Sequence, residues 1–449
     1  MGFYMVDDRL PILLVILDGL GDRAAPELDG KTPCEAAATP NLDALATMGI
    51  NGVHVPFGPG CATSSEHAHW ALFGLGRVPF PGRAAIEALG VGLSPPVGVP
   101  LFHLALRAGI LRNNALYLGA RARPKEDTEV CAALFAALNG RTRAGIRFEI
   151  MPLRTGEAVL CAHGASSHEI SDSDSLFDHL HPWMRPLALP EAVDRLAAQE
   201  LANALESWLL ESRQILRHQS FNAKRHAAGL PMLDVAVTKW ASLLDPELPQ
   251  FHTAVGIAGA AVTDTALYRG LARLLGMKCV DIPYDPTDAA ADMQRRIEAA
   301  SRLLDTHAFV HVHVKATDEA GHSKNPCFKR DVIAATDAGL SALPALARRA
   351  VVAVTGDHAS PSVGSLLHSG DPTPVVVAAP GLRADLVTSF GERTGLTGEC
   401  GRLRASEVLP LLLGLANRPF FIGHRPGAYT TLALPDTPEP MPLNAEEKR

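Results

Sequence analysis

Aromatic side chains are scarce in this chain, only 5% of its 449 residues, and no basic stripe offsets its net charge of −7. With few rings to stack on bases and no positive face to track phosphates, a nucleic-acid-binding surface is excluded. No apolar run reaches the roughly 18 residues that a membrane-spanning helix needs. The first such run, Leu10 to Leu17, is short and bracketed by Asp7-Asp8-Arg9 and Asp18, which also excludes a signal peptide. Met1-Gly2 opens the chain as a myristoylated protein would, but Val6 stands where that signal wants Ser or Thr. The seven cysteines, Cys34, Cys61, Cys131, Cys161, Cys279, Cys327 and Cys400, are odd in number and contain no CxxC pair. A disulfide framework and a zinc knuckle are therefore excluded. Internal repeats and low-complexity linkers are absent as well. The expectation is a cytoplasmic protein with no membrane partner.

What is present suits large buried sheets: 47% apolar and 20% charged residues. The length exceeds what one hydrophobic core usually supports, so two domains are expected. Pro11 to Leu17 is a continuous apolar run ending in Asp18-Gly19, the pattern of a central parallel strand whose terminal carboxylate faces a site. Thr39 then reads as the N-cap of a helix that opens with Pro40. From about Leu101 to Gln250 the character changes to alternating segments such as Ala115–Leu118 and Ile146–Ile150, followed by a helical stretch from Pro190 to His218. That stretch carries Leu196, Leu201, Leu205, Leu209, Leu210 and Ile215 at near-helical spacing. Beyond Ala254 the doubly wound pattern resumes, with helices over Thr263–Leu275 and Ala289–Leu304 and a short strand over Lys278–Ile282. The reading is a discontinuous α/β domain, 1–100 and 251–434, wrapped around an inserted α+β domain, 101–250. A tail rich in Pro and Glu, 435–449, is expected to trail in solvent.

The chemistry concentrates at strand ends, where open α/β sheets keep their sites. Phe309-Val310-His311-Val312-His313-Val314 leads to Asp318-Glu319-Ala320-Gly321-His322, and Val351–Val354 leads to Asp357-His358, with His368 further on. Carboxylates and imidazoles brought from separate strands hold divalent cations through mixed oxygen and nitrogen donors. Gly58 to Ser65 is a flexible loop running into an apolar segment from Trp70. A serine at such a helix start sits where backbone N–H groups favour anions. Ser65 is thus a candidate nucleophile, while Ser64 or Ser65 as a plain helix cap is the competing reading. His67, His69, His311 and His313 have weaker claims; alternation places His311 and His313 on one strand face, in supporting or packing roles.

These segments carry a resemblance. Asp18-Gly19-Leu20-Gly21-Asp22, Lys31-Thr32-Pro33, Thr39-Pro40-Asn41-Leu42-Asp43, Gly58-Pro59-Gly60, Glu87 to Leu93, His313 to His322, Gly356-Asp357-His358-Ala359-Ser360-Pro361 and His368-Ser369-Gly370 resemble the archaeal-type cofactor-independent phosphoglycerate mutases of the alkaline phosphatase superfamily, in order along nearly the whole chain. The resemblance implies an alkaline-phosphatase-like, doubly wound, mostly parallel sheet with an inserted lid domain. It also implies two divalent metal ions, Mn²⁺ foremost with Zn²⁺ or Mg²⁺ as alternatives. Asp318, His322 and His368 would hold one, and Asp18, Ser65, Asp357 and His358 the other. Ser65 would carry the phosphoryl group between two hydroxyls of a small phosphorylated metabolite. The family's compact arginine clamp is altered here, where Arg107-Ala108-Gly109 and Gly119 to Arg123 stand. Arg121, Arg123, Arg154, Arg225, Lys239 and Lys315 remain as anion holders. That difference keeps a metal-dependent phosphatase or phosphotransferase open as a second reading, and a non-catalytic binding protein as a third.

Overall fold

Ile, Leu and Val fill every position of the strand Ile12–Leu17, and all six are fully buried. A strand covered on both faces is the mark of a central parallel strand. In the computed structural model, which describes residues 8–174, 181–421, 431–432, 436 and 441–442, Ile12–Leu17 pairs in parallel with Phe309–Val314 on one side and Val351–Thr355 on the other. The full sheet runs Lys278–Asp281, Gly259–Thr263, Phe309–Val314, Ile12–Leu17, Val351–Thr355, Thr373–Ala378, Ile50–His54 and Gly401–Leu403. It is mostly parallel; Thr373–Ala378 alone runs against both neighbours. One body, 1–80 with 249–449, contains this sheet, and a second comprises Pro81–Leu248.

Local signals misled at two places in the first body. Thr263, expected to open a helix, instead closes the strand Gly259–Thr263; the helix is Ala266–Leu274, capped by the Thr265 side chain, which accepts from Tyr268 N. A strand of Gly, Ala, Ala, Val and Thr carries little β-propensity, and burial in the sheet decides its state. Thr39 makes no capping hydrogen bond to the helix Pro40–Thr47. The distant Asp337 carboxylate does that work, accepting from Asn41 N at 3.1 Å and Leu42 N at 2.8 Å. Most of the tail from 435 lies outside the described residues, but Asp436 is held by Arg9 at 3.1 Å and Arg418 at 2.9 Å.

In the second body the 13-residue strand Pro100–Arg112 pairs antiparallel with Ala115–Arg121, Glu157–His163 and Val235–Leu243. Ile146–Arg154 extends the sheet beyond Glu157–His163. The helix Arg195–Arg217 covers one face with Leu201, Leu205, Trp208 and Leu209. Leu196 and Leu210, read above as part of that stripe, are exposed at 80% and 53% because their angular positions fall outside it. The body begins at Pro81, before the helix Arg83–Gly90 that packs beside Val235–Leu243, so its edge falls earlier than residue 101. No helix among the described residues is long and apolar enough to cross a membrane.

One buried acid in the first body makes stability depend on pH. Glu392 accepts a hydrogen bond from Thr32 Oγ1 at 2.7 Å, while its other oxygen has no partner. Burial, aided by nearby Glu35, pushes its carboxyl up to about 7. The unfolded chain ionises this group near pH 4.5 and the folded chain only near 7, so stability falls as pH rises through that window and is flat above it. The full difference is roughly 3 kcal/mol at 1.36 kcal/mol per pH unit. Glu392→Gln is expected to remove this slope, raising stability at pH 8 relative to wild type in urea unfolding; equal slopes in both proteins would contradict it.

Candidate metal centre

Each ligand candidate sits where its strand delivers it. Asp18 follows Ile12–Leu17; Asp318 and His322 lie on the short helix Ala316–His322 that begins just beyond Phe309–Val314; Asp357 and His358 follow Val351–Thr355. His368 arrives on the loop that enters the antiparallel strand Thr373–Ala378. Ser65 is the first residue of the helix Ser65–Leu72.

The structure brings these groups together. Donor atoms of Asp18, Asp357 and His358 lie within 4.8 Å of one another, and so do those of Asp318, His358 and His368. His358 thus belongs to both sets, where the sequence reading assigned it to one. His322 joins through Asp318, its Nε2 lying 3.1 Å from the carboxylate. The imidazoles of His358 and His368 stack at 3.9 Å, and those of His322 and His368 at 5.4 Å. Ser65 Oγ is 2.8 Å from His358 Nε2 and 3.3 Å from Asp18 Oδ1, with the residue only 5% exposed. Neither Ser64 nor Ser65 spends its hydroxyl on the helix backbone, so the capping reading of this serine does not hold.

The cluster is rich in negative charge. Asp18, Asp318 and Asp357 are all buried, and the one lysine among them, Lys315, reaches Asp18 at 2.8 Å and Asp318 at 2.6 Å. Burial opposes ionisation of Asp18, but Lys315, His313 and His358 outweigh it and hold the carboxyl well below its usual range. Asp357 goes the other way: burial and then the Asp18 charge push it well up. One oxygen of Asp357 is buried without any hydrogen-bond partner. An orphaned carboxylate oxygen beside like charge is what a divalent cation would satisfy, and the oxygen and imidazole donors suit one. The donor set therefore fits divalent metal binding.

A second layer holds these ligands in place. His313 Nε2 lies 2.9 Å from Asp18 Oδ2, and Tyr268 donates to the same oxygen at 3.4 Å. Thr317 Oγ1 donates to the Asp18 carbonyl, and Ser360 Oγ to the Asp318 carboxylate. His69 sits below Ser65 with Nδ1 2.7 Å from the Ser65 carbonyl; burial drives its pKa down to about 3, so it is neutral. His311 packs against rings, of His69 and Phe73 among them, and His67 stacks on Phe80 at 4.9 Å. His313 and His69 support the site, while His311 and His67 pack.

The expected anion holders divide. Arg121, Arg154 and Lys239 line one cavity of about 330 Å³ in the second body, together with Arg107, which the list above omitted. Arg107 lies on an apolar strand and is 8% exposed, so nothing local marked it as facing a cavity. Acids share the space: Asp174 lies 3.1 Å from Arg107 and 3.6 Å from Lys239, and Glu157 pairs with Arg154. Arg123 and Arg225 are not on this lining; both are tied to Asp127, whose partners serve the fold. Lys315 belongs to the carboxylate cluster described above.

The chain is similar to known proteins along most of its length. The family described as the Metalloenzyme superfamily matches residues 10–414. The 2,3-bisphosphoglycerate-independent phosphoglycerate mutase of Pyrococcus furiosus is 32% identical over 415 residues, covering 90% of this chain and 97% of that protein. Among solved structures, a protein from Pyrococcus horikoshii aligns with a TM-score of 0.74 at 28% identity, covering 92% of this chain and 99% of its own. The cofactor-independent phosphoglycerate mutase of Thermoplasma acidophilum aligns with a TM-score of 0.61 at 29% identity, covering 91% and 100%.

Proposed function

The chain belongs to the cofactor-independent phosphoglycerate mutases of the Metalloenzyme superfamily, and from that premise we propose that it interconverts 3- and 2-phosphoglycerate by phosphoryl transfer through Ser65. The observation that supports this most is the Ser65 hydroxyl, buried and aimed at Asp18 and His358 instead of at its own helix. In this reading Asp318, His322 and His368 hold one divalent cation, and Asp18, Ser65, Asp357 and His358 a second, with Mn²⁺ the ion best suited. When bound, such cations supply a lowered pKa for the serine hydroxyl and neutralise charge on the transferred phosphoryl group.

The protein's own residues do the rest. Ser65 Oγ gives up its proton and attacks phosphorus; the Oγ–P bond forms as the bond to the glycerate oxygen breaks, and that oxygen leaves as an alkoxide that takes up the proton Ser65 released. The neighbouring hydroxyl then gives up its proton and attacks the phosphoserine, which restores Ser65. Asp18 holds the Ser65 hydroxyl in line while His313 and Tyr268 fix Asp18. Lys315 brings positive charge to the same spot. The cations of the 330 Å³ cavity, Arg107, Arg121, Arg154 and Lys239, suit the acid groups of a small phosphorylated metabolite.

One observation favours a second outcome, release of the phosphoryl group to water. Asp174 and Glu157 already pair with three of the cavity's cations, which weakens that cavity's hold on an anionic metabolite. A ³¹P NMR time course of the Mn²⁺-reconstituted protein with 3-phosphoglycerate separates the two. The 2-phosphoglycerate resonance is expected without added bisphosphoglycerate. Free phosphate alone would make the protein a phosphatase, and an unchanged spectrum would rule out this substrate.

A further inference from the structure

Lys329, on the helix Pro326–Ala338, is fully buried, yet its ammonium faces no substrate cavity and belongs to no part of the chemistry described above. Its Nζ donates to three backbone carbonyls, Gly19 at 2.8 Å, Ser360 at 2.9 Å and Gly21 at 3.0 Å, and lies 3.0 Å from Asp22 Oδ2. Four oxygens around one buried charge form a cage of the kind that holds a monovalent cation. Burying an ammonium is costly unless it is fully partnered, so a lysine kept here has a task that an apolar side chain would not perform.

The caged carbonyls identify the task. Gly19 presents its carbonyl to Lys329 and its N–H to Asp357 Oδ1, at 2.9 Å. Ser360 likewise presents its carbonyl to Lys329 and its hydroxyl to Asp318 Oδ1. Each of these residues therefore has one end on the ammonium and the other on a carboxylate of the metal centre. Asp22, the fourth cage oxygen donor, also accepts from Ser362 N at 2.9 Å, which pins the loop after His358. The packing leaves no slack: a Cβ on Gly19, whose φ is +62°, would stand 2.5 Å from Ser360 Oγ and 2.6 Å from Asp318 Oδ1. We propose that Lys329 is a positioning residue, an internal cation that clamps the Asp18–Asp22 and Asp357–Ser362 loops so that Asp357 and Asp318 are each held in place in their donor sets.

The inference rests on the reading of this cluster as a divalent-metal centre, and its test keeps the two apart. Mn²⁺ binding to the metal-stripped full-length chain is measured by calorimetry and by the electron paramagnetic resonance of the bound ion, for wild type, Lys329→Ala and Lys329→Met. Wild type is expected to bind, and both variants at least tenfold more weakly. Methylammonium, which fits the emptied cage, is expected to restore Mn²⁺ affinity in Lys329→Ala in a saturable way and to leave Lys329→Met, whose side chain fills the space, unchanged. Wild-type affinity in Lys329→Met, or a loss in Lys329→Ala that methylammonium does not repair, would show that the side chain only occupies volume and would overturn the proposal. A wild type that binds no Mn²⁺ would overturn the metal centre itself, and this inference with it. Should Lys329→Ala not fold, Asp22→Asn keeps the cage's shape and removes its charge; a several-fold loss of affinity is expected, and none would overturn the clamp.

Discussion

Ser65→Ala is expected to lower turnover of 3-phosphoglycerate by about four to six orders of magnitude, the range seen when a covalent nucleophile is removed. The size follows from the hydroxyl's isolation. Ser65 Oγ is the hydroxyl that Asp18 and His358 both address; the Tyr268 hydroxyl beside Asp18 belongs to a buried phenol whose pKa is pushed well up by burial and by Asp18, and the Thr317 and Ser360 hydroxyls already donate to the Asp18 carbonyl and the Asp318 carboxylate. No neighbour can take over the attack. Rapid quench with ³²P-labelled substrate should trap phosphoserine in wild type and none in the variant. Trapped label or substantial turnover in Ser65→Ala would remove Ser65 from the reaction.

Asp357→Asn is expected to separate stability from activity. In the metal-free chain Asp357 is a buried carboxyl with one unpartnered oxygen and like charges at Asp18 and Asp318, an arrangement that destabilises the fold. The amide keeps the oxygen that accepts from Gly19 N at 2.9 Å and His358 N at 3.0 Å, and it removes the repulsion. Turnover should fall by about three orders of magnitude or more, as loss of a metal ligand implies. In chelator, however, the variant should be more stable than wild type by about 1–3 kcal/mol, a rise of a few degrees in Tm. Wild type with Mn²⁺ should in turn melt above wild type in chelator, because a ligand that binds only the folded chain stabilises it. A variant less stable than wild type in chelator would mean that Asp357 is a structural carboxylate.

The carboxylates of this centre were legible because each lies at or just beyond the end of an apolar run, and such runs are hard to mistake. Asp18 follows Leu17 directly, and Asp357 follows Thr355-Gly356. The sheet itself was less legible at its margins. Ile50–His54 contains Asn51 and Gly52, and Gly259–Thr263 is built of small residues, so neither announces a strand; hydrogen bonding to neighbours decides both. Cations were the least legible. A lysine or arginine in sequence says nothing of its partner, so Arg123 and Arg225 read as anion holders when Asp127 holds them both, and Lys329 passed unnoticed beside Arg330 and Asp331 on its helix. The sharing of His358 between two donor sets depends on packing between segments 40 residues apart in the chain, 318 to 358, and no local pattern records that.

The residues that converge on one cluster are drawn from opposite ends of the polypeptide, Asp18 and Ser65 from its beginning and His368 from its last fifth. During synthesis the serine therefore leaves the ribosome after Asp18 but long before His358, the other group its hydroxyl meets. The chain cannot assemble both donor sets until the loop carrying His368 has emerged and the strand Thr373–Ala378 has inserted between its neighbours. A chain cut short before that point lacks part of the donor cluster, and capture of a cation by Asp318, His358 and His368 reports that synthesis has passed His368.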